Sequence, residues 1–191
     1  MKPALLVIDM LEDYFSDGYL VEVRSSLTKS INSLIRLARD FAFPIIWVRQ
    51  EFEADLSDAF LVMRKKNIKK TIRATHGASI LSELDRQSGD HEVIKKRYSA
   101  FFGTDLDSHL GQLKIDTLII AGINTHACVR MAAIDAYQRD YEVLIVRDCV
   151  ASADHDHHRI SLDYLDGEIS QVIDLAKLGS ICATSSTPAI K

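Results

Sequence analysis

Short apolar runs alternate along this chain with stretches of helical period, and that alternation restricts the fold more than any other feature. The runs are Ala4–Ile8, Phe43–Val48, His91–Ile94, Thr117–Ala121 and Glu142–Val146, with a weaker sixth at Ser170–Ile173. Continuous Val/Ile/Leu runs of this length suit strands buried on both faces, as in a parallel sheet. Between them lie helix-period patterns. Leu27, Ile31, Leu34, Ile35 and Ala38 share one stripe, with Ser25 or Ser26 placed to cap. Ile80, Leu81 and Leu84 fit a shorter helix, beginning near His76-Gly77. Leu106, Leu110 and Leu113 fit another. Val129, Ala132, Ala133, Ala136 and Tyr137 give a small-residue face, and Ile160, Tyr164 and Leu165 a last helix. Strand–helix alternation implies an α/β fold: one three-layer αβα sandwich around a mostly parallel, six-stranded, Rossmann-like sheet.

With 191 residues the chain suits one domain, placed at residues 1–182. The Ser/Thr-rich tail 183–191 is expected to fray. Segment 50–75 breaks the rhythm: it is charged, lacks periodicity and is too long for a turn, so it reads as a lid, a site wall or an oligomer contact. Within it, Arg64–Lys70 is basic, as a solvated face or as a rim that attracts anions. A net charge of −4 gives no nucleic-acid footprint. No apolar stretch approaches the roughly 20 residues that span a bilayer. The start, Met1 to Ile8, lacks a cleavage site, so a cytoplasmic protein is expected. Three cysteines without CxxC spacing suit free thiols better than a disulfide framework or a zinc finger.

In a doubly wound sheet, ligands bind beyond the carboxyl ends of the strands. The polar residues there are Asp9; Arg49, Gln50 and Glu51; Lys95 and Lys96; Gly122 through Cys128; and Arg147 and Asp148. An acid, a lysine and a cysteine thus meet on one edge. Thr125 as N-cap would place Cys128 about three residues into a helix, where amide N–H groups and the helix dipole favour a thiolate and can hold an oxyanion. A buried structural cysteine has the same spacing. Asp9 could equally hold a turn with Asp13, and Lys95 could be merely exposed. Cys149, after a strand, and Cys182 lack comparable partners and read as structural.

Three blocks in register give these residues a family context. They are Leu5–Met10 with Asp13-Tyr14-Phe15, Val93–Leu106, and Ala121–Val129. Over residues 3–180 the chain resembles the isochorismatase-like cysteine hydrolases, which include nicotinamidases, N-carbamoylsarcosine amidases and ureidoacrylate amidases. The resemblance implies an Asp9–Lys95–Cys128 triad. Lys95 is preferred to Lys96 because the family's lysine stands four residues before the serine of a Ser-Ala-Phe motif, here Ser99. It also implies a cis Ile123–Asn124 peptide, with the Asn124 and Cys128 N–H groups as oxyanion hole.

The implied activity is hydrolysis of a C–N bond in a small amide or carbamoyl/ureido substrate through a cysteine thioester, without a cofactor. A homo-oligomer, dimer or tetramer, is implied as well. Nicotinamidases carry an Asp-x-His zinc motif after the second strand, where this chain has Glu51-Phe52-Glu53, so no metal is expected. The cluster Asp154–His158 reads as a solvated helix start rather than a metal site. Tyr14, Phe15, Trp47, Tyr98, Phe101 and His126 are candidate pocket residues. The alternatives are a non-hydrolytic thiol or redox protein using Cys128, and a catalytically silent binding subunit on the same fold.

Overall fold

The computed structural model describes residues 1–185. Six strands form one sheet: β1 (Pro3–Ile8), β2 (Ile45–Gln50), β3 (His91–Lys95), β4 (Thr117–Gly122), β5 (Glu142–Val150) and β6 (Gln171–Ile173). Their order is β3-β2-β1-β4-β5-β6 and every pairing is parallel. The order reverses between β1 and β4, where the carboxyl ends open a crevice. Both of these central strands are buried at every residue. Their unbroken apolar sequence follows from that, because helices cover both faces.

Alternate residues of each strand serve opposite layers. Leu5 and Val7 pack with α1 (Tyr19–Asp40) and α6 (Leu175–Ser185); Ala4, Leu6 and Ile8 pack with α3 (Leu106–Leu113), α4 (Arg130–Tyr137) and α5 (His155–Leu165). On α1 the buried residues Leu27, Ile31, Leu34, Ile35 and Ala38 are the predicted stripe. On α4, Ala132, Ala133 and Ala136 bring the backbone close to the sheet.

Several expectations need correction. Ser25 and Ser26 do not cap α1, which starts at Tyr19 after Gly18. Gly18 has φ +66°, a conformation that costs glycine little, so the helix begins well before its apolar stripe. Residues 80–84 form no helix. Ile80 bridges Leu11, and Leu81 N–H donates to the Met10 carbonyl, so these hydrogen bonds run between segments and not four residues back. Only a single 3₁₀ turn, His76–Ala78, precedes them. β5 is longer than its apolar core: its pairing with β4 slips between Ile120 and Gly122, and Arg147 and Asp148 lie exposed inside the strand with Cys149 buried beside them. Ile160 and Tyr164 of α5 face outward, and Leu162 and Leu165 do the packing. Of the expected tail, Ala183–Ser185 ends α6; residues 186–191 lie outside the described residues.

At the far end of β3, the His91 and His109 rings stack at 3.6 Å and 8°. Burial, and then His91, lower the pKa of His109. The unfolded chain therefore takes up a proton here at higher pH than the folded one, and stability falls as pH drops below the usual histidine range. The thermal midpoint should decline between pH 7.5 and 5, and His109→Phe, which keeps a ring but cannot titrate, should flatten that decline. An unchanged slope would contradict this account.

Candidate active site

Asp9, Lys95 and Cys128 come from three separate segments and meet at the crevice. Asp9 follows β1, Lys95 ends β3, and Cys128 sits in a turn of π-helix, Thr125–Val129, after β4. Lys95 Nζ lies 2.7 Å from Asp9 Oδ2, 3.3 Å from Cys128 Sγ and 3.1 Å from the Arg97 carbonyl oxygen. β2 lies between β1 and β3, so the lysine must cross two strand spacings, roughly 10 Å, to reach Asp9. Only a long, flexible cation does that. Lys96 points away, to Asp58 and the Glu51 carbonyl.

Asp9 is held hard. Its φ is +52°, in the left-handed region that a non-glycine residue occupies at a cost of about 1–3 kcal/mol. Three backbone contacts enforce it: Asp9 N–H to Val48 O, Leu11 N–H to Asp9 O, and Gln50 N–H to Asp9 Oδ1, each 2.8 Å. Oδ2 touches the Lys95 ammonium but accepts no well-aligned hydrogen bond, which leaves it open to a further proton.

Burial and then the Asp9 charge push the Cys128 thiol well above its ordinary range, and Lys95 opposes both. Burial alone would lower Lys95, but the Asp9 and Cys128 charges outweigh it and hold the ammonium raised. The site thus holds an Asp9–Lys95 ion pair beside a thiol whose ionisation burial and Asp9 disfavour. A thiol with a carboxylate acceptor and an ammonium at hand can ionise when an electrophile arrives.

The turn that carries Cys128 is shaped by close contact. Gly122 has φ +111°, and a Cβ there would lie 2.0 Å from the Ile8 carbonyl oxygen, so β4 can leave the sheet only with glycine at this point. The Ile123–Asn124 peptide is cis. Thr125 is not the N-cap; Asn124 holds that place, and the Thr125 hydroxyl is buried, donating to Ala151 O and meeting His158 Nδ1 at 2.9 Å.

Above Cys128 is a cavity of about 230 Å³. Tyr14, Tyr98 and His126 line it as expected, and Asn124 joins them. Trp47, Phe15 and Phe101 do not. Trp47 and Phe15 pack in the α1–α6 layer, where Trp47 donates to Asp90, and Phe101 packs in the other layer. An aromatic side chain near a strand end is read equally well as core or as pocket; Trp47 lies within β2, Phe15 and Phe101 beyond strand ends, and all three are core. His76 is absent from the wall as well. Burial and then the nearby His157 lower the His126 pKa, and the ring pairs with Ser152.

Much of the wall comes from segment 50–75, which the sequence marked as an irregular insertion with a basic stretch at 64–70. It folds over a small core of its own, Phe52, Leu56, Ala59, Met63 and Ile72, and includes α2 (Leu61–Lys66). Asp13 Oδ2 accepts the Thr71 N–H, which pins the segment to the end of β1, and a Cβ on Gly77 would strike that carboxyl group at 2.2 Å. Phe60, Val62, Met63, Ile68 and Lys70 then face the cavity. Gln50 joins them from β2. It is 3% exposed, its Oε1 accepts from the Tyr14 hydroxyl, and its Nε2 has no partner. Its signal was only its place at a strand end.

The segment after β2 does not fit a zinc ion. Arg49 and Arg73 pair with Glu51, and Arg73 also holds Glu53 at 2.7 Å, so both carboxylates are neutralised by guanidinium groups. Asp154 caps α5 by accepting the His157 N–H, as a helix start does. A larger groove, about 580 Å³, lies along Arg49, Glu92 and Arg86 and contains no cysteine. No disulfide joins the three cysteines. Cys128 packs in one layer and Cys149 and Cys182 in the other, with the sheet between them.

Comparison with known proteins places the chain in a family. Residues 3–177 match the isochorismatase domain. A relative from Arabidopsis thaliana, described as a "probable inactive nicotinamidase", is 32% identical over 83% of this chain and 85% of its own. Maleamate amidohydrolase from Pseudomonas putida is 29% identical over 90% of this chain and 83% of its own. The crystal structure of an isochorismatase family protein from Desulfovibrio vulgaris superposes with a TM-score of 0.86 at 27% identity, covering 95% of this chain and 98% of that one.

Two measurements check the electrostatics. Lys95→Met leaves a buried carboxylate unpaired and should cost about 3–5 kcal/mol in denaturant unfolding; an unaltered midpoint would contradict the pairing. The alkylation rate of Cys128 should keep rising with pH beyond the ordinary thiol value of about 8.5. A plateau near that value would contradict the raised thiol.

Proposed function

Because the chain belongs to the isochorismatase domain family, we propose that it is a cysteine hydrolase that cleaves the C–N bond of a small amide, carbamoyl or ureido compound. The observation that carries this reading is the Lys95 ammonium set between Asp9 and Cys128, at 2.7 and 3.3 Å. A structural cysteine has no need of that pair.

In the proposed reaction Asp9 Oδ2 takes the Cys128 proton and the thiolate attacks the carbonyl carbon. Lys95 stays charged, balancing first the carboxylate and then the sulfur. The tetrahedral oxyanion is placed against the N–H groups of Asn124 and Cys128. Asp9 returns the proton to the leaving nitrogen, and ammonia or an amine departs. Water then attacks the thioester, giving one proton to Asp9, which passes it back to sulfur as the acid leaves. Amide and water become acid and amine, so the cycle closes without a metal or cofactor. Gln50 Nε2 is a candidate donor to the bound substrate. Maleamate amidohydrolase is an amide hydrolase by name, which supports the reaction class.

The silent binding subunit is the second reading, favoured by the description of the plant relative as inactive. The spent cost of burying Asp9 and Lys95 together speaks against it. The redox reading lacks a resolving thiol on the Cys128 side of the sheet. No helix among the described residues is long and apolar enough to cross a membrane. A cytoplasmic homo-oligomer, dimer or tetramer, belongs to the proposal, and the exposed Met131, Tyr137, Ile160 and Tyr164 on α4 and α5 offer it an apolar face.

The test is ammonia release from a panel of small amides and ureides. Turnover by the parent enzyme should fall roughly a thousandfold or more in Cys128→Ala, the scale expected on deleting a nucleophile. Full turnover in that variant would overturn the mechanism.

A further inference from the structure

Cys128 rides on the turn Thr125–Val129, and the chain that follows β5 braces that turn from one side. Thr125 N–H donates to Ala151 O at 2.9 Å, Ala151 N–H to Gly122 O at 3.2 Å, and Ala153 N–H to Asn124 Oδ1 at 2.8 Å. The donors are main-chain groups that almost any sequence supplies. Two side-chain contacts cross the same seam: His126 with Ser152, and Thr125 with His158 of α5.

The second contact has a fixed sense. Thr125 is fully buried, and its hydroxyl has one hydrogen, which it donates to Ala151 O at 3.0 Å. Toward His158 Nδ1, 2.9 Å away, it can therefore only accept. Nδ1 carries a hydrogen whether the ring is neutral or charged. The ring is not wedged in place: His158 lines two cavities, about 200 Å³ between α1 and the end of β5 and about 250 Å³ along α5. The helix behind it is fixed, because Leu162 and Leu165 enter the core and Asp154 caps the first turn.

We propose that His158 is a positioning residue for the nucleophile: by donating to Thr125 it locks the turn so that the Cys128 N–H faces the substrate oxygen as that oxygen gains charge. This rests on the hydrolase reading above and adds a residue that does not line the cavity over Cys128. The donors of an oxyanion hole must be aimed in advance at the place where charge develops, and a displacement of about 1 Å there can cost a hundredfold. Main-chain bonds to the irregular stretch 151–153 let the turn and that stretch shift together. A side chain from the anchored helix α5 removes that freedom. Thr125 stands three residues before Cys128, in the same turn, so a shift of one moves the other.

The experiment uses two reagents on Cys128, with rates read from the mass of its peptide. p-Nitrophenyl acetate acylates the sulfur through a tetrahedral oxyanion, whereas iodoacetamide alkylates it by direct displacement and needs no oxyanion hole. His158→Phe should slow acylation about tenfold or more and change alkylation by less than about threefold. His158→Asn, which can place an amide N–H near the position of Nδ1, should bring acylation back to within about threefold of the parent. Thr125→Val should slow acylation as His158→Phe does, and the double variant should be no slower than either single one. If His158→Phe does not fold, Thr125→Val reads the same bond from its other end. Unchanged acylation in His158→Phe, equal losses with both reagents, no rescue by His158→Asn, additive losses in the double variant, or a parent Cys128 that is not acylated each overturn the proposal. Ammonia release from the amide and ureide panel reads the hydrolase proposal separately: its absence overturns that proposal, while the acylation rates still decide the role of His158.

Discussion

The buried contact between Lys95 and Asp9 is the interaction on which the rest of the site depends. Lys95 is fully buried and Asp9 1% exposed. Taking either charge out of water alone would cost several kcal/mol, so each is tolerable only because of the other. The pair ties the end of β3 to the end of β1 across β2, and it sets the Cys128 sulfur at the same ammonium. Stability is a poor reason to keep such a pair, since apolar residues would pack there at least as well. Its retention together with the left-handed Asp9 fits a site maintained for chemistry.

The environment of Cys128 follows from that arrangement. An isolated helix N-terminus would favour a thiolate. Here burial and then the Asp9 carboxylate push the thiol above its ordinary range, and Lys95 opposes them. In the proposed reaction, the carboxylate that opposes the ionisation of the thiol is also the group that takes its proton.

Segment 50–75 turns a bare strand-end constellation into a pocket. Its own small core lets it stand over the crevice, and the Asp13–Thr71 bond fastens it there. Asp9, Lys95 and Cys128 are thus positioned by the sheet, and much of the cavity wall by the insertion.

The sequence by itself determined the class of fold, the six strands and most of the helices, because buried parallel strands and amphipathic helices leave periodic apolar patterns that local reading recovers. It also brought Asp9, Lys95 and Cys128 to one edge, since in this class of fold strand ends face a common crevice. Only the tertiary structure decided what lies beyond local period. The irregular path of residues 80–84, the early start of α1 and the extension of β5 depend on hydrogen bonds to distant segments. Trp47, Phe15 and Phe101 look alike in sequence to Tyr14 and Tyr98, and the layer each one enters is settled by which side of the sheet its backbone presents. Gln50 joins the cavity wall with an Nε2 group that has no partner, which only the folded structure reveals. Residues from β2 and from the insertion become neighbours only when the chain has folded.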